Sequence, residues 1–155
     1  MKKNLMQLIT ALLFLALAAG VQAQEAKSMD HGAMTGMEMG GEKIMLPTAT
    51  VNGVKATAHL LDTSKAMAQA GMTMTHHLMI TFADSATGKS IDTGIAAVKV
   101  IDPAGKKMEA VKMIDMEGSF GADVALTQKG KYAFEVGTKL GNGEKRQFVF
   151  QYTVK

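Results

Sequence analysis

The run Thr48-Ala49-Thr50-Val51-Asn52-Gly53-Val54-Lys55-Ala56-Thr57-Ala58-His59-Leu60-Leu61 decides the fold class. Two stretches alternating with a period of two flank Asn52-Gly53, the dipeptide that suits a type I′ turn because both central residues need positive φ. The spacing predicts a β-hairpin, and the same rhythm continues through the rest of the chain. Met72 to Phe82 reads as a strand with Leu78, Ile80 and Phe82 on one face and His77, Met79 and Thr81 on the other. Ile95 to Ile101, Lys107 to Ile114, Phe120 to Leu126, Lys131 to Val136 and Arg146 to Val154 follow. Asp102-Pro103-Ala104-Gly105, Thr127-Gln128-Lys129-Gly130 and Leu140-Gly141-Asn142-Gly143 supply turns between them. Only Ser64 to Ala70, ending at Gly71, has helical or irregular character. Seven or eight short strands with regular turn signals predict an all-β, immunoglobulin-like antiparallel β-sandwich over residues 47–155. The βαβ rhythm of a nucleotide-binding fold is missing.

Ahead of this domain the composition changes twice. Lys2 and Lys3, the apolar run Leu5 to Ala19, the break at Gly20 and the small residues of Val21-Gln22-Ala23 have the three-part layout of a secretory signal peptide. The apolar run is shorter than the roughly 20 residues a membrane-spanning helix needs. Cleavage is expected after Ala23, giving a periplasmic or secreted protein that starts at Gln24 and keeps 132 of the 155 residues. Loss of Lys2 and Lys3 leaves 15 basic against 14 acidic residues, and no basic run marks a nucleic-acid surface. The chain contains no cysteine. Disulfides, thiolate metal ligands, covalently attached haem and blue copper are excluded, and the core must hold by packing.

Residues 24–46 read as a flexible Met- and His-rich segment, with four glycines and no aromatic residue. Within it Met29, His31, Met34, Met37 and Met39 gather five soft or borderline donors in 11 residues. Thioether with imidazole suits Cu(I), and imidazole with carboxylate suits Cu(II). A second group, Met72, Met74, His76 and His77, with His59 on the preceding strand, offers a half-site in the domain. On a regular strand Met72, Met74 and His76 share one face while His77 turns to the other, so the two histidines bind one ion only if a bulge re-aims one. Methionine is also an ordinary core filler, and a buried histidine often does no more than hydrogen-bond. Met113, Met116 and Phe120 form a weaker third group around Glu117-Gly118.

Nothing in the sequence forms a catalytic motif: there is no nucleophile elbow, phosphate loop or HExxH. The expected function is therefore a non-enzymatic exported metal-binding protein, a copper carrier or buffer with Cu(I) favoured. The alternative is an interaction or assembly module docking to a membrane-bound respiratory or copper-transport complex.

Residues 72–137 resemble the small periplasmic immunoglobulin-like domains of the YtkA, FixH and CopC-like group. The resemblance is carried by Thr75-His76-His77-Leu78-Met79-Ile80-Thr81-Phe82, Ala97-Val98-Lys99-Val100, Phe120-Gly121-Ala122-Asp123-Val124-Ala125-Leu126 and Lys129-Gly130-Lys131-Tyr132-Ala133-Phe134-Glu135-Val136. It implies a sandwich outside the cytoplasm, associated with copper handling or oxidase assembly. CopC-like carriers place a histidine at the mature N-terminus, where this chain has Gln24, so no ligand is carried over from them.

Overall fold

The computed structural model describes residues 41–155 except residue 142. The signal layout and the Met29, His31, Met34, Met37 and Met39 group lie outside the described residues. Ten strands and one short helix follow in order: β1 (Lys43–Met45), β2 (Ala49–Val51), β3 (Val54–Asp62), α1 (Ser64–Gln69), β4 (His76–Asp84), β5 (Gly94–Ile101), β6 (Val111–Lys112), β7 (Ile114–Met116), β8 (Ser119–Val124), β9 (Gly130–Leu140) and β10 (Lys145–Val154). One sheet has six strands in the order β1-β3-β4-β8-β7, with β2 also paired to β3. The other has four, in the order β10-β9-β5-β6. Every pairing is antiparallel. The all-β immunoglobulin-like sandwich expected from the sequence is the fold of the domain.

The core is the shared inner surface of the two sheets. Val54, Ala56, Ala58 and Leu60 of β3, Leu78, Ile80 and Phe82 of β4, and Phe120, Ala122 and Val124 of β8 are buried. They belong to one hydrophobic cluster with Val98 and Val100 of β5, Tyr132, Phe134 and Val136 of β9, and Phe148 and Phe150 of β10. The Tyr132 hydroxyl accepts a hydrogen bond from the Gln128 backbone N–H at 2.8 Å, the local contact by which a tyrosine corner pins the loop ahead of its strand.

Two short hairpins set the register around the outer face of the six-stranded sheet. Val51 pairs with Val54 across Asn52 (φ 45°) and Gly53 (φ 74°), the expected two-residue turn. A Cβ at Gly53 meets no neighbour, so Gly53→Ala costs only the left-handed backbone penalty. We expect a loss of about 1–2 kcal/mol in urea unfolding. Met116 likewise pairs with Ser119 across Glu117 (φ 50°) and Gly118 (φ 88°).

Several strand limits differ from the sequence reading. The sandwich begins at Lys43, ahead of Pro47, because β1 and β2 run along the same edge of β3. The register passes from Met45↔His59 to Ala49↔Ala56, so the edge carries one extra residue. This bulge at Pro47, which has no N–H to give a ladder, lets Leu46 stay buried while Ala49 and Val51 also pack against the core. The stretch expected as a single strand from Lys107 to Ile114 changes sheets. β6 pairs with β5 in one sheet, β7 pairs with β8 in the other, and Met113 at the crossing is 2% exposed. These two breaks raise the strand number above seven or eight.

Candidate metal centre

Antiparallel register aligns side chains of opposed residues on the same face, with strands about 4.8 Å apart. On the outer face of the six-stranded sheet, Met45 stands opposite His59, His59 opposite Met79, and Met79 opposite Gly121. In the adjacent row Leu61 stands opposite His77, and His77 opposite Asp123. Strands β1, β3 and β4 thus bring two imidazoles and two thioethers to one surface, β8 adds Gly121 and Asp123, and β7 adds a third thioether from Met116.

Gly121 is the point of convergence. A Cβ there would lie 2.6 Å from the Met116 Sδ and 2.7 Å from the His77 Nε2. Both distances are below any real van der Waals separation, so only a glycine leaves the sulfur and the ring nitrogen room to share this space. His77 is held from its other side, with Nδ1 2.7 Å from the Asp123 Oδ1. An ionised carboxylate only accepts, so the Nδ1 proton faces Asp123, and in that tautomer the lone pair is on Nε2, on the side of the space over Gly121. That Nε2 is buried and has no hydrogen-bond partner among the described residues. A carboxylate fixing the tautomer of a ring whose second nitrogen is unused is the arrangement found behind metal-binding histidines.

His59 lies half-buried beside this group. Burial, and then the charges of Lys43 and His77, hold it below the ordinary imidazole value, which favours the neutral, ligand-competent ring. Met79 is half-buried, whereas Met45 and Met116 are 58% and 43% exposed. Among the described residues no three His, Cys, Asp or Glu side chains gather in one place, so the donor set is a mixture of imidazole and thioether.

The other domain residues read as donors from the sequence separate from this face. The strand starts at His76, so Met72 and Met74 do not share a strand face with it; both lie in the preceding loop, exposed. The Thr75 backbone N–H bonds to the Val124 carbonyl there, while the ladder with β3 begins only at Asp62↔His76. His76 points inward and is 8% exposed, with its Nδ1 2.8 Å from the Thr75 Oγ1 and its ring 6.0 Å from that of Tyr152. Burial holds it below the ordinary value, with Asp62 acting in the opposite direction. Its surroundings are those of a packed, hydrogen-bonded core histidine. As the strand period requires, His77 faces the opposite side. Sequence reasoning left Met45, Met79, Gly121 and Asp123 out of the candidate site and placed Met116 only in a weaker third group. Gly121 inside a strand and Glu117-Gly118 between two short apolar runs are the signals that point to them.

Two surface hollows lie elsewhere. One, of about 650 Å³, is floored by Ala97 and Gly137 and edged by Ile95, Lys112, Lys139 and Lys145. The other, of about 710 Å³, lies between Asn52 and the Asp84–Thr93 loop. Neither is lined by histidine or methionine. In the second, the Asp84 carboxylate is engaged with Ala86 and Thr87 of its own turn.

No family model matches the chain and no curated protein does. Solved structures do. A copper-bound variant of FetP from uropathogenic Escherichia coli aligns over 73% of this chain and 97% of its own, with 11% identity and a TM-score of 0.57. A DUF4426 family protein from Pseudomonas aeruginosa aligns over 70% of this chain and 96% of its own, with 11% identity and a TM-score of 0.53. The likeness is one of fold. It agrees with the immunoglobulin-like sandwich that the YtkA, FixH and CopC-like resemblance implies.

Proposed function

We propose that this chain is an exported, non-enzymatic copper-binding protein, a carrier or buffer. Its sandwich takes Cu(I) on the outer face of the six-stranded sheet through His77 Nε2 and the Met116 thioether, with His59, Met79 and Met45 beside them. One observation carries this reading: a buried imidazole nitrogen with no partner among the described residues, oriented from behind by Asp123, borders the same space as a methionine sulfur, over a residue that has no side chain. Two imidazoles among thioethers suit a soft cation of low charge. They suit Mg²⁺ or Ca²⁺ poorly, since those ions take oxygen ligands. The copper-bound FetP variant shares the fold, which supports the same use of the scaffold. The Met29, His31, Met34, Met37 and Met39 run supplies further soft donors, suited to capturing the ion before the sandwich holds it. His76, Met72 and Met74 have no part in this site.

Competition with a chromogenic Cu(I) chelator tests the proposal. The purified protein is expected to withdraw Cu(I), and the double variant His77→Ala, Met116→Leu to lose the tighter class of binding. Asp123→Asn keeps the shape but weakens orientation of the ring, and should cost roughly 10–100-fold in affinity. Replacing Met34, Met37 and Met39 by leucine tests the leader separately. A double variant as tight as the parent removes the sandwich site. A protein that ignores Cu(I) but co-purifies with a membrane complex favours the docking module instead.

A further inference from the structure

Among the described residues, nine large apolar side chains are exposed, and five of them are methionines: Met45, Met72, Met74, Met108 and Met116. The chain has no cysteine, so a thiol never competes with these sulfurs for an oxidant. Met116 differs from the others in one respect, since its sulfur borders the same space over Gly121 as the His77 Nε2, which has no hydrogen-bond partner among the described residues.

We propose that Met116 is an oxidation-controlled donor: conversion of its thioether to the sulfoxide switches off the His77 site and releases the ion. The inference rests on the copper reading above and adds its regulation. The oxidant is a two-electron oxygen donor of the peroxide class. With hydrogen peroxide, a sulfur lone pair attacks one oxygen, the S–O bond forms and the O–O bond breaks. Sulfur gives up two electrons, the peroxide is reduced, and the departing hydroxide takes the remaining proton and leaves as water. The product is a poor donor for a soft cation through sulfur and a hard one through oxygen. It also adds an atom where the sulfur and the ring already fill the space over Gly121. Met116 is 43% exposed, so a small oxidant can approach its side chain from solvent. A bound ion withdraws electron density from it, so the loaded site resists and the empty site is the one that is shut. The change is reversible, because methionine sulfoxide reductases return the thioether.

The test treats metal-free protein with hydrogen peroxide, maps sulfoxides by peptide mass spectrometry, and measures Cu(I) affinity before and after. A parallel sample carries Ag(I), a stand-in for Cu(I) that does not cycle with peroxide. The expected result is a Met116 sulfoxide in the metal-free sample, at least a tenfold loss of Cu(I) affinity, protection by Ag(I), and recovery with a sulfoxide reductase. The variant Met72→Leu, Met74→Leu, Met108→Leu should respond as the parent does. Met116→Leu, whatever affinity it keeps, should lose a clearly smaller factor on treatment than the parent. A protein that holds Cu(I) equally well with Met116 fully oxidised overturns the inference and leaves the copper reading standing, as does an equal fold-loss in treated Met116→Leu. Failure to bind Cu(I) before any oxidant is added sinks the copper reading, and the inference with it.

Discussion

Gly121→Ala should lower Cu(I) affinity by roughly 10–100-fold, the range typical of disturbing the support of a metal ligand, while leaving the fold intact or slightly firmer. The added methyl enters space already bounded by the Met116 Sδ and the His77 Nε2. Neither is backbone: one is the tip of a flexible side chain and the other the edge of a ring, so they give way and the sheet does not. Met116 swings outward from the exposed strand β7. His77 either tilts off the Asp123 Oδ1 or stays and finds no sulfur beside it. Alanine also spares the chain some of the entropy that glycine loses in a strand, a gain of about 0.5–1 kcal/mol. The diagnostic result is therefore a split, with weakened chelator competition beside an unchanged or raised urea midpoint. A variant that binds Cu(I) as the parent does means that the two donors do not meet over Gly121 in the loaded protein. A variant that fails to fold assigns the glycine a structural duty instead.

Local information made most of the fold legible. Asn52-Gly53 between alternating runs marks a hairpin on its own, and the even spacing of Leu78, Ile80 and Phe82 marks one face of β4 without reference to any partner. The edge at Pro47 and the crossing at Met113 were hidden because both depend on a neighbouring strand. Leu46 is buried through its N–H bond to the Ala58 carbonyl, and Met113 through its bond to Ala96. The start of β4 was misread for the same reason, since nothing in Met72-Thr73-Met74-Thr75 disfavours a strand; what ends the strand is the end of the ladder at Asp62↔His76. Face assignment within β4 was legible, which is why His76 and His77 part as the period requires. The candidate site was legible only in part: His59 and His77 were read as donors, but not what stands beside them. His59 meets Met79 only once the register of β3 on β4 is known, and Met116 meets His77 only because β8 lies between β4 and β7.

Phe82→Ala should produce the largest loss of stability, and the opposite signature to Gly121→Ala. Phe82 is 1% exposed and belongs to the six-stranded sheet. Its ring lies edge-on to Phe120 of the same sheet at 5.6 Å and tilted against Phe148 of the facing sheet at 5.4 Å. The side chain therefore joins the two layers, and removing it leaves a void lined by two rings fixed on different sheets, which cannot both collapse into it. Truncations of this kind cost about 3–5 kcal/mol, against a total of about 5–15 kcal/mol for a typical domain. With no cysteine in the chain, no disulfide shares the burden. Phe82→Leu, which keeps much of the volume, should cost less than half as much. Because the proposed copper face is the outer one, residual folded Phe82→Ala should still bind Cu(I). Metal at about 100 times the dissociation constant should also stabilise it by about 2.7 kcal/mol and so raise its unfolding midpoint. A Phe82→Ala midpoint close to that of the parent contradicts a core in which this ring ties the sheets together. Loss of folding with no rescue by Cu(I) indicates instead that the metal face and the core do not belong to one cooperative unit.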